Sequence, residues 1–97
     1  MKTINEFAEL LEKQQIERLR KDNLECDANI RNARVSIKPG KKYTKVDVGS
    51  SGMYMIDGDN NIFGIKAYGV IHRSHYYGTL ETINEYYWGN YTAYKLN

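Results

Sequence analysis

Cysteine is almost missing from this chain of 97 residues: Cys26 stands alone. A single cysteine excludes an internal disulfide and any cysteine-cluster metal site, and it suits a reducing compartment. Proline is as scarce, with Pro39 the one example, and all eight glycines lie at or after Gly40. No apolar run approaches the length of a membrane span, and the first residues carry no apolar core of a secretory leader. Neither sign of charge dominates, with 14 basic and 12 acidic residues. The nucleophile elbow G-x-S-x-G, the phosphate-binding glycine loop and G-x-G-x-x-G are all missing. These gaps point to a non-enzymatic protein with no cofactor.

What is present falls into two parts of one domain, a helical front over residues 1–33 and a turn-rich back over 34–97. Thr3 and Glu6 form a capping box that satisfies free N–H groups at a helix start. Ile4, Phe7, Ala8, Leu11, Leu19, Cys26 and Ile30 share one side of a helical wheel. Glu9–Lys13 and Glu17–Lys21 are spaced as i,i+4 ion pairs. Asp22-Asn23 marks a break, Leu24 sits off the apolar stripe, and Asp22 with Glu25 offers a second cap. One long helix and two shorter ones both fit.

From Arg34 onward the pattern changes to short strand-like runs. "RVSIK" (34–38) ends at Pro39-Gly40, a turn signal. "YTKVDV" (43–48) alternates, and the segment 49–52 turns the chain. "MYMI" (53–56) and "IFGIKAY" (62–68) flank Asp57-Gly58-Asp59-Asn60, a strong hairpin signal. "VIHRSHYYG" (70–78) is extended. "TINEYYWG" reads as a capped helical turn with Thr82 and Glu85 as the box and Gly89 as its end, and "YTAYKL" (91–96) as a last strand. The expected fold is α+β: an N-terminal helix packed on an antiparallel sheet of four to six strands.

Three constellations bear on function. His72 and His75 form H-x-x-H, but an odd offset on a strand sends the rings to opposite faces, and no third ligand is near. They are expected to be neither catalytic nor metal-binding, with one ring against the packed face and the other, beside Arg73, reachable from solvent. Asp57, Asp59 and Asn61 imitate the opening of a calcium loop, yet Ile62 replaces the required glycine and Tyr68 the required glutamate. Third, six basic residues (Arg31, Arg34, Lys38, Lys41, Lys42, Lys45) stand between 31 and 45 with no acid among them. That segment suits phosphate contacts, and equally a solvated hairpin whose lysines discourage edge pairing.

Between His72 and Tyr91 lie five of the nine tyrosines and the only tryptophan. Adjacent aromatics on an extended run face opposite ways, so about half of these rings should be exposed. Exposed Tyr and Trp are favoured at protein interfaces. Arg73, Tyr76, Tyr77, Tyr86, Tyr87, Trp88 and Tyr91 are therefore the expected contact residues for a protein partner. The basic segment is the alternative, for nucleic acid, and a tyrosine-lined small-ligand site is the third possibility.

The runs "KPGKKYTKVDVGSSGMYMID" (38–57) and "NIFGIKAYGVIHRSHYYGTLETINEYYWGNYTAYK" (61–95) resemble small bacteriophage-encoded proteins. The shared pattern is SG-x-Y-M-V/I, then I-x-G-I-K-A-Y-G, H-x-x-H-x-Y-G-T-L and a closing W-x-x-Y. The resemblance covers roughly residues 38–95 and leaves the front helix out. It implies a phage gene product in the host cytoplasm, one of the accessory kind that binds and inhibits a host protein such as a defence nuclease complex. It implies no reaction and brings no catalytic residues.

Overall fold

The computed structural model describes residues 3–49, 51–67, 70–89 and 93–96. The capping box opens helix α1 (Ile4–Lys21), where the Thr3 hydroxyl accepts the Glu6 N–H at 3.1 Å. Phe7, Ala8, Leu11, Gln15 and Leu19 form its buried stripe. The helix stops at Asp22, and Asn23 takes a left-handed conformation (φ 57°). The break falls where the sequence placed it, but the expected second cap does not form. Glu25 instead pairs with Arg20, and the short helix α2 (Asp27–Asn32) begins after Cys26. Because α1 ends early, the stripe loses phase and Cys26 is exposed rather than buried.

Five strands follow: β1 (Val35–Lys38), β2 (Thr44–Val48), β3 (Ser51–Ile56), β4 (Asn61–Ala67) and β5 (Val70–Thr79). They form one antiparallel meander in chain order. A short 3₁₀ helix (Leu80–Glu85) leads to a two-stranded ribbon, β6 (Tyr86–Tyr87) with β7 (Tyr94–Lys95). The chain is thus α+β, with α1 packed on an antiparallel sheet. No helix among the described residues is long and apolar enough to cross a membrane.

Register fixes what each face of the sheet carries, since successive residues alternate sides. Ile37, Val46, Tyr54, Gly64 and His72 are successive cross-strand partners on the α1 side. Lys38, Lys45, Met55, Phe63 and Tyr76 are successive partners on the other side. The core lies on the first face: Phe7 and Leu11 meet Val46, Tyr54, Ile56, Ile62, Leu80, Ile83 and Trp88. Helical front and sheet back therefore share one core.

Two turns explain local sequence choices. Asp57 Oδ1 accepts the N–H groups of Asp59 (3.0 Å) and Asn61 (2.9 Å), and Oδ2 accepts from Asn61 Nδ2 at 3.1 Å. The calcium-like carboxylate is thus engaged in tying a hairpin, as an Asx turn does. Gly78 has a left-handed backbone (φ 76°), and a Cβ there would strike the Thr82 hydroxyl. That hydroxyl holds the start of the 3₁₀ helix, accepting the Thr79 N–H at 3.0 Å and donating to the Thr79 carbonyl at 3.1 Å. The expected helical turn around Thr82 therefore begins earlier, at Leu80, and ends at Glu85. Tyr86 and Tyr87 are strand instead.

Candidate interaction surface

Trp88, expected at the surface, is fully buried at 0 % exposure. Phe7 (4.7 Å), Tyr54 (5.4 Å), Tyr86 (5.4 Å) and Tyr77 (6.0 Å) surround its ring, centroid to centroid. Most of these contacts are edge-on, the arrangement the ring quadrupoles prefer. The indole N–H donates to the Ile83 carbonyl at 2.9 Å. Two glutamines of α1 grip the same residue's backbone. Gln14 Oε1 accepts the Trp88 N–H, and Gln15 Nε2 donates to the Trp88 carbonyl, both at 2.7 Å. Gly89 follows because a Cβ there would strike the Tyr87 hydroxyl and the Gln14 carbonyl. The tryptophan is a core residue that fastens the C-terminal segment to α1.

The remaining tyrosines divide between core and surface. Tyr54 is 2 % exposed, and burial, with a smaller contribution from Tyr77, pushes its phenol well above the ordinary range. Tyr77 is half-buried against Tyr54 and Trp88, and its pKa is raised by burial. Tyr76, its neighbour on β5, points the other way as expected. It is 49 % exposed, leans on Phe63 (5.4 Å) and donates to Asn61 Oδ1 at 3.0 Å. Tyr86 and Tyr87 are both half-buried, Tyr86 on Trp88 and Tyr87 on Tyr94 (5.4 Å). Tyr91 and the side chain of Arg73 lie outside the described residues.

The histidines depart from expectation. His72 and His75 do not diverge: their rings stack at 3.9 Å, only 5° from parallel. A bulge is the cause. Phe63 pairs with Tyr76 and the next residue, Gly64, with His72, so three β5 residues intervene where none would in a regular ladder. The bulge resets the alternation. His72 is half-buried and His75 exposed. Parallel rings hold their nitrogen lone pairs in parallel planes, which do not converge on one ion. No group of three metal-ligating side chains occurs among the described residues.

The six basic residues do not form one patch. Lys38 and Lys45 are cross-strand partners, and Lys41 and Lys42 occupy the connecting turn, with the Lys42 ammonium 5.7 Å from the Tyr43 ring centroid. Lys38 also pairs with the buried Asp47 at 3.2 Å. Arg31 and Arg34 lie toward the other end of β1, where the Glu12 carboxylate accepts the Val35 N–H at 2.8 Å.

One surface was not foreseen. Tyr87 and Tyr94 face each other on the ribbon and line a hollow of about 620 Å³ with Glu17, Arg18, Lys21 and Asp22 from the end of α1. Tyr94 is 48 % and Leu96 47 % exposed, while Ala93 is buried. Leu96 lies beyond the end of β7 and does not line the hollow. Of the four charged residues, Arg18 and Asp22 pair with each other (3.9 Å) and Glu17 with Lys13 (4.0 Å). Lys21 forms no ion pair among the described residues.

No protein-family model matches the chain, and comparison with curated proteins and with solved structures gives no match either.

Proposed function

We propose that the protein is a non-enzymatic accessory protein of bacteriophage type that binds, and thereby inhibits, a host protein such as a defence nuclease complex in the host cytoplasm. The observation that carries this reading is the tyrosine-lined hollow between the ribbon and the end of α1. Large amphipathic rings and arginine are enriched at interface centres, while other charged groups belong to the rim. Tyr87 and Tyr94 supply contact area at small entropic cost, and Lys21 offers an ammonium to a partner carboxylate. The partner is therefore a protein segment that presents an apolar side chain flanked by acid. The phage source rests on the resemblance over residues 38–95.

A photo-crosslinking amino acid installed at position 94, in protein produced inside bacteria, tests the reading. A discrete covalent adduct with one host protein is expected from position 94. None is expected from position 70, where Val70 is as exposed (51 %) but stands at the start of β5. Adducts at both positions alike, or at neither, would refute it.

A further inference from the structure

The face of the sheet turned away from α1 carries a second feature that the hollow does not use. Lys38, Lys45, Met55, Phe63 and Tyr76 are register partners in one unbroken row across all five strands. Charge sits at one end of the row and aromatic rings at the other. Met55 stands in the middle at 3 % exposure, covered by its neighbours, so solvent reaches the row at its two ends. Phe63 and Tyr76 pack as a tilted pair at 5.4 Å, and half of Tyr76 is open to solvent. Beyond the charged end, Lys41 and Lys42 are exposed in the turn, beside Tyr43.

Two facts argue that this row is more than a solvated face. First, Lys38 and Lys45 stand directly opposite, and although Lys38 also pairs with Asp47 on the same face (3.2 Å), Lys41 and Lys42 in the adjoining turn leave that end of the row net basic. Second, a lysine edge that only deters pairing needs no aromatics in register with it. Cations in line with stackable rings match the repeating chemistry of a single nucleic-acid strand, with phosphates on one side and base faces on the other. An open antiparallel sheet that stacks bases on its aromatics is a recurring solution for single strands. Duplex fits poorly, because its bases are already stacked and hidden from Phe63 and Tyr76.

We infer that the sheet face bearing Lys38, Lys45, Phe63 and Tyr76, extended by Lys41 and Lys42, binds single-stranded nucleic acid. The lysines grip phosphates and set the salt dependence. Tyr76 stacks on a base, with Phe63 holding its ring in place. The site is separate from the hollow, so this inference does not rest on the protein-binding reading.

Fluorescence anisotropy with labelled single-stranded DNA and RNA 20-mers, and a duplex of the same sequence, decides the matter. At low salt, binding at micromolar protein is expected for single strands and weaker binding for the duplex. With three or four lysines engaged, log K should fall against log salt with a slope of about −2 to −3. Lys41→Gln with Lys42→Gln should flatten that slope by about 1.4. Lys38 is left in place because it also holds Asp47. Tyr76→Ala should weaken binding roughly tenfold at unchanged slope, and Tyr76→Phe should restore it, as loss and recovery of one stacked base require. Tyr94→Ala should have no effect. Circular dichroism confirms that each variant is folded. Absence of single-strand binding, duplex preference, or binding by the Tyr76→Ala and double-lysine variants equal to that of the unmutated protein would overturn the inference. So would loss of binding on Tyr94→Ala with Tyr76→Ala silent, which would move the contact to the hollow.

Discussion

Replacing Trp88 strikes a residue that joins α1, the sheet and the C-terminal segment. Its ring is fully enclosed, and truncation of such a tryptophan to alanine costs about 3–5 kcal/mol in transfer and cavity terms. The Ile83 carbonyl loses its indole donor as well, adding about 1 kcal/mol. A domain of this length has about 5–15 kcal/mol in total, so Trp88→Ala removes a large share of it. Trp88→Phe is the more informative change. It keeps one ring, leaves the Ile83 carbonyl without a partner and opens a smaller void. Together these amount to about 2–3 kcal/mol. At this size that is a fall in Tm of about 10–20 °C. Urea unfolding followed by far-ultraviolet circular dichroism measures it without needing the tryptophan as probe. In the unmutated protein, Trp88 emission should be blue-shifted and slow to quench with acrylamide. A loss below about 1 kcal/mol at unchanged m-value, or ready quenching, would refute the placement of Trp88 in the core.

Three further outcomes follow from the same packing. Gln15→Met, similar in length but unable to donate, should cost about 1–3 kcal/mol in urea unfolding, because it leaves the buried Trp88 carbonyl without its partner. Gly78→Ala should cost about 1–3 kcal/mol, since alanine resists the left-handed backbone and its Cβ strikes the Thr82 hydroxyl. Tyr54 governs alkaline stability. The folded protein holds the phenolic proton more tightly than the unfolded chain does, so stability is unaffected below the unfolded value of about 10 and falls as pH rises above it. Tyr54→Phe should remove part of that alkaline loss, read as unfolding midpoint against pH between 9 and 12.

The helix and the hairpins were legible because their causes are local. Thr3 with Glu6, the stripe from Phe7 to Leu19, and Asp57-Gly58-Asp59-Asn60 each act within a few residues. What escaped the sequence depends on distant partners. Gln15 is a polar residue on an apolar stripe, and only the Trp88 carbonyl, 73 positions away, explains it. Cys26 sits in phase with the stripe, but α1 ends before reaching it. The stacking of His72 on His75 needs a bulge, and no signal in "HRSHYY" announces where one falls. Alternation assigns two sides to a strand without saying which side is covered, so it leaves Trp88 on the surface where the fold buries it. Tyr86 shares its side and leans on it. The hollow joins the end of α1 to residues more than sixty positions later, so it leaves no local footprint in the sequence.

Partner capture tests the account's central claim most directly. Immobilised unmutated protein, a Tyr94→Ala/Lys21→Glu variant and a Lys41→Gln/Lys42→Gln variant are each exposed to nuclease-treated bacterial lysate, and bound proteins are quantified by mass spectrometry. The account predicts a host protein enriched at least tenfold by the unmutated and lysine-substituted forms and lost from the variant with the altered hollow. Enrichment of no protein, or equal enrichment by all three forms, would contradict it.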